Sequence, residues 1–89
     1  MKNNEILFLP LKAKWYDMID SGVKLEEYRE DKPYWQKRIT EDKKYVRFSY
    51  GYTEKTMTFK IKNIRKGIGN PEWGAPDYPV YIIKLGDRI

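Results

Sequence analysis

The chain has 89 residues, 40% of them hydrophobic and 35% charged, with a formal net charge of +5 and a pI near 9.4. It contains no Cys and no His, which excludes disulfides, ordinary zinc sites and nucleophilic devices built on Ser–His–Asp or Cys–His. Any catalysis has to run on Lys, Glu, Asp, Tyr, Arg or a hydroxyl, and the cationic balance favours anionic partners, nucleic acid before membrane.

This length predicts one domain over residues 1–89, with a compact core that depends on large side chains. The chain supplies eight Tyr, three Trp and three Phe. No apolar run approaches the ~20 residues that span a bilayer, and the start Met-Lys-Asn-Asn-Glu lacks the parts of a signal peptide. The expectation is a cytoplasmic protein with no membrane partner, no metal site and no cofactor.

In chain order, Glu5 to Leu9 reads as a short, largely buried strand that Pro10 terminates. Leu11, Trp15, Met18 and Ile19 then recur at helical spacing, which predicts an amphipathic helix from about Lys12 to Ser21 with Trp15 in the core. Gly22 follows the last periodic residue as a left-handed stop, since it has no Cβ to clash. After it the period becomes two. A strand over Lys24–Glu30 puts Leu25, Glu27 and Arg29 on one face and Glu26, Tyr28 and Glu30 on the other. Glu27 and Arg29 would stand roughly 6–7 Å apart at their backbones, and Lys24 at the turn can reach back over their face. A cation, an anion and a second cation thus converge at the mouth of whatever the strand lines. Composition alone favours the plain alternative of an ion-paired strand start at the surface.

Asp31 to Ile39 predicts a second short helix, with Asp31 as cap, Pro33 in the first turn, and Trp35 and Ile39 on one apolar edge. Tyr45 to Tyr50 alternates, with Val46, Phe48 and Tyr50 opposing Tyr45, Arg47 and Ser49, which predicts a strand with one face buried. Gly51 to Lys55 turns the chain into a strand over Thr56–Arg65 with Met57, Phe59 and Ile61 inward, and the two strands should form an antiparallel hairpin. Lys66 to Pro79 holds three Gly and three Pro and reads as a long irregular loop, a functional candidate. Its Gly67-x-Gly69 is not a dinucleotide fingerprint, because Glu72 takes the third position and no helix follows. Trp73 there is a plug for one end of the sheet or a ligand contact. Val80 to Leu85 is apolar on both faces and predicts a central strand, with residues 86–89 as a tail. Five strands and two short helices suggest an α+β fold, a small and mostly closed five-stranded, mostly antiparallel β-barrel with helices over its ends.

The stretch Gly22-x-Lys24-x-x-Glu27-x-Arg29, preceded by Trp15-Tyr16-Asp17-Met18-Ile19-Asp20-Ser21, resembles the signature of the ASCH domain family, whose members share a PUA-like β-barrel. The Leu-Pro-Leu-Lys lead-in and the strands at 45–50 and 80–85 sit where that family puts them, so the resemblance covers nearly the whole chain. It implies RNA-related binding in a cleft lined by the motif. Some relatives hydrolyse the acetyl amide of N4-acetylcytidine, and some cleave single-stranded RNA. The amidohydrolases use a lysine matching Lys24 and a threonine three residues later. Here that second position is Glu27, which removes the hydroxyl nucleophile. They also need a downstream glutamate, for which Glu72 is the candidate.

Three readings follow. In the first, an RNA- or nucleotide-binding module holds phosphate or base edges with Lys24 and Arg29, oriented by Glu27. Tyr28, Tyr34, Trp35 and Trp73 offer stacking or contact surfaces, and Lys37, Arg38, Lys60 and Lys62 add charge. In the second, a small hydrolase acts on a modified nucleoside or similar amide, or on RNA, with Glu27 as base activating water and Lys24 stabilising the oxyanion. In the third, the ion cluster only ties helix to strand.

Overall fold

A computed structural model describes all residues, 1–89. Five strands, β1 (Ile6–Leu11), β2 (Glu26–Arg29), β3 (Tyr45–Tyr50), β4 (Thr56–Gly67) and β5 (Val80–Arg88), and two helices, α1 (Ala13–Asp20) and α2 (Pro33–Gln36), make an α+β fold. The strand order β1-β3-β4-β5-β2 is that of one mixed sheet. β1 runs parallel to β3, and the other three pairings are antiparallel. The sheet curls into a half-barrel rather than the mostly closed barrel expected, because β1 and β2 share no backbone ladder.

Pro10 does not terminate β1; it lies inside the strand. β1 is an edge strand, and at a sheet edge a missing N–H costs the ladder nothing. Alternation along β1 buries Leu7 and Leu9 and turns Phe8 outward, 51% exposed, so the strand is less buried than expected. α1 forms as predicted, but its most buried residue is Tyr16, which sits edge-on to Tyr50 with ring centroids 5.2 Å apart. α2 is a single turn. Lys32, not Asp31, is its N-cap, and Asp31 instead accepts a hydrogen bond from the Gln36 amide.

The β3–β4 hairpin has the expected antiparallel pairing. β4 runs two residues further than predicted, and register shifts around Ile61 interrupt its alternation. Ile61 is accordingly only partly buried. β5 continues through Gly86 to Arg88 instead of ending as a tail, and it lies between β4 and β2. The main core gathers Leu7, Leu9, Tyr16, Val46, Phe48 and Ile83 between α1 and the concave side of the sheet. A second, smaller cluster of Tyr28, Ala75, Val80 and Ile82, with Trp73 against it, seats the Gly/Pro loop. No helix is long and apolar enough to cross a membrane.

Candidate functional site

The site begins where α1 stops. Gly22 takes φ +83°, and the backbone N–H groups of Val23 and Lys24 both donate to the Met18 carbonyl, at 2.9 and 3.0 Å. This reversal pins Lys24 just before β2, which starts at Glu26 and not at Lys24. Leu25 does not face inward with Glu27; it is exposed, because regular pairing with β5 begins only at Glu26.

The three motif residues do come together. Glu27 bridges the two cations, with Oε1 3.0 Å from Lys24 Nζ and Oε2 2.5 Å from Arg29 Nη1. The Lys24 side chain is fully enclosed, and that of Glu27 is 7% exposed. This corrects the expectation that Lys24 stands at an open mouth. Its ammonium donates to the Trp73 carbonyl at 2.5 Å and lies 4.6 Å from the Tyr28 ring centroid and 5.2 Å from that of Trp15. Two rings, a carboxylate and a carbonyl oxygen thus satisfy the ammonium. Burial pushes the Lys24 pKa down from 10.5, and the Glu27 carboxylate opposes this only in part.

The roof over Lys24 is the loop from Ile68 to Pro79. Two glycines let it lie flat on the aromatic walls. A Cβ on Gly69 would stand 2.3 Å from the Tyr28 ring, and one on Gly74 would stand 2.9 Å from the Trp15 ring. Gly74 also takes φ +94°, a left-handed conformation that disfavours a side chain. The Asn70 N–H donates to the Tyr28 hydroxyl at 3.1 Å, and that hydroxyl donates to Glu26 at 2.9 Å. Trp73 therefore acts as the plug, its carbonyl on Lys24 and its ring against the second cluster. Trp15, expected in the core, is half-buried as a wall of the lysine box.

Arg29 spans the gap that the sheet leaves open. Its Nη1 donates to Glu27 and to the Tyr28 carbonyl, and its Nη2 donates to the Pro10 carbonyl on β1 at 3.1 Å. One guanidinium thus clips the two edge strands of the half-barrel together. Of its five N–H groups two remain uncommitted. Its central carbon lies 5.2 Å from the Trp35 ring centroid, and its side chain is 15% exposed. A cleft of about 170 Å³ opens here, lined by Tyr28, Arg29, Glu30, Trp35, Gly74 and Pro76. Arg29 is the member of the triad that borders open space.

The remaining candidates scatter. Tyr34 is exposed on α2, in edge contact with Trp35. Lys37 and Arg38 line a separate recess beside Phe8. Lys60 and Lys62 lie with Leu85 and Asp87 at another place on the surface, away from the motif. Glu72 is exposed, and its side chain joins no hydrogen bond or ion pair with the cluster. A larger recess, of about 390 Å³ between Ile39–Lys43 and β4, contains no motif residue. No three carboxylates are grouped to hold a metal ion. Phe8 owes its outward place to an alternation present in the sequence itself, Leu7 in, Phe8 out and Leu9 in.

No protein-family model and no curated protein matches the chain.

Proposed function

We propose that the chain is a cytoplasmic RNA- or nucleotide-binding module of the ASCH, PUA-like kind, with its ligand in the cleft beside Arg29. The observation that carries this reading is Arg29 itself. It is held by Glu27 and two carbonyl oxygens, set against Trp35, and left with two uncommitted N–H groups beside the cleft that it helps to line. A guanidinium fixed beside an aromatic ring suits a ligand with a phosphate or base edge and a flat face. In this reading Lys24 and Glu27 position Arg29 and do not touch the ligand, since both are buried. Tryptophan fluorescence with a panel of nucleoside phosphates tests it. Quenching that weakens with salt and is lost in Trp35→Leu is expected; no response to any member at low salt refutes it.

One observation favours the hydrolytic reading. Lys24 has its pKa lowered by burial and a carboxylate at 3.0 Å, a perturbed pair of the kind that marks candidate catalytic sites. That reaction requires the 68–79 roof to lift, because Lys24 is sealed from solvent. Mass spectrometry of an acylated-nucleoside panel decides it: product with the wild type and none with Lys24→Ala supports hydrolysis, and no product removes it.

A further inference from the structure

Tyr34 and Trp35 are neighbours on a one-turn helix, so their side chains leave it about 100° apart. Their rings still meet edge to face, with centroids 4.8 Å apart. Trp35 faces Arg29 and the cleft. Tyr34, 57% exposed, faces the other way, onto Arg38. The Arg38 guanidinium lies 3.5 Å from the Tyr34 ring centroid and donates to the Tyr34 carbonyl at 2.8 Å.

Arg38 also lines, with Lys37 and Lys43, a recess of about 270 Å³ whose opposite wall is Phe8 on β1. Phe8 is half exposed, and Arg47 sits 5.7 Å from its ring centroid, steadied by Thr58 Oγ1 at 2.8 Å. Arg29, Trp35, Tyr34, Arg38, Phe8 and Arg47 thus form a row in which cations and rings are interleaved, running from the cleft over α2 to the outer face of β1. Among the cations of this face only Arg29 and Lys43 have a carboxylate within ion-pair distance. Charge alone would hold any polyanion. Exposed rings spaced between guanidinium groups add surfaces on which unpaired bases stack.

We propose that this row is a track for single-stranded nucleic acid, with bases stacked on Tyr34 and Phe8 and phosphates held by Lys37, Arg38 and Arg47. It rests on the reading of the cleft as a nucleotide site for its starting point: one nucleotide sits beside Arg29 and Trp35, and the flanking strand crosses α2. A duplex offers no free base face to the rings, and an acidic protein would satisfy the cations but not the rings.

The test is fluorescence anisotropy of the full chain with a labelled oligouridylate of about 12 nucleotides, within the usual range of single-strand site sizes. A duplex of the same length and polyglutamate as competitor complete the set. Phe8→Ala and Tyr34→Ala should each weaken oligomer binding about tenfold with an unchanged salt dependence. Lys37→Ala and Arg38→Ala should each flatten the log–log salt dependence by about 0.7. All four side chains are outside the core, and unchanged melting curves confirm that the variants fold. Mononucleotide quenching of Trp35 should survive in all four. The track is overturned if the oligomer does not bind, if the duplex binds equally, if polyglutamate displaces the oligomer as readily from wild type as from the ring variants, or if those variants bind as the wild type does. A wild type that holds the oligomer through Tyr34 and Phe8 but responds to no mononucleotide refutes the cleft reading alone.

Discussion

Glu27→Gln keeps the side-chain volume and one acceptor oxygen but removes the charge that Lys24 and Arg29 share. Glu27 lies 3.0 Å from one cation and 2.5 Å from the other, in surroundings where Lys24 is fully enclosed. A hydrogen bond to a charged group contributes about 1.5–3 kcal/mol. Removing one partner of a buried pair costs about 3–5 kcal/mol, because the other charge is left uncompensated. Arg29 keeps the Tyr28 and Pro10 carbonyls and some contact with water, so most of the penalty falls on Lys24. The expected loss is about 3–4 kcal/mol, which for a domain of this size lowers Tm by about 12–30 °C.

Urea denaturation across a pH series separates charge from packing. In the variant, the two influences of Glu27 that hold the Lys24 pKa up are gone, leaving burial and Arg29, opposed only by the more distant charge of Glu26, to push it further below 10.5. Between that lowered value and 10.5 the unfolded chain binds a proton that the folded chain does not. Stability of the variant therefore rises with pH through this window, and its deficit against wild type shrinks. A loss below about 1 kcal/mol, the scale of a surface pair, or a deficit that stays flat with pH, would refute the assignment of Glu27 as the charge that balances a sealed lysine.

Wild-type stability should itself bend in alkali. Burial raises the Tyr28 pKa to about 12, so its contribution is complete below its unfolded value of 10.0 and is lost as pH climbs toward 12. Lys24, with a lowered pKa, acts in the opposite sense below 10.5, so urea midpoints should first rise and then fall, and Tyr28→Phe should abolish the Tyr28 part of the fall. Gly69→Ala and Gly74→Ala drive a methyl into the Tyr28 and Trp15 rings; each should cost about 1–3 kcal/mol in thermal melts. The same variants should raise acylation of Lys24 in a mass-spectrometric footprint, as the roof lifts. Arg29→Lys should cost about 1–3 kcal/mol and speed amide exchange in β1, since one ammonium cannot reproduce a fork that reaches Glu27, Tyr28 and Pro10 together.

What could be read from the residues was what depends on local periodicity. The helix stop at Gly22, the hairpin of β3 and β4 and the shared face of Glu27 and Arg29 are all of that kind. What could not be read comes from distant parts of the chain. Lys24 looked like a free turn lysine because its roof, the Trp73 carbonyl, lies 49 residues away. Pro10 looked like a terminator because nothing nearby shows that β1 is an edge strand. The barrel looked closed because strand count carries no information about the unpaired margins that Arg29 bridges. Alternation along β4 misplaced Ile61 because the register shifts there arise from pairing with β5.

The parallel pairing of β1 with β3 and the pairing of β2 with β5 have a consequence for the order of folding. Only the β3–β4 hairpin joins neighbouring strands through a short turn; every other ladder waits for a longer closure. β2 finds its partner last in chain order, at residues 81–84, and the Trp73 carbonyl arrives by the same closure. This long closure predicts that Lys24, Glu27 and Arg29 are desolvated late in assembly. Refolding rates should thus respond weakly to changes in the triad, while unfolding rates absorb nearly all of the effect.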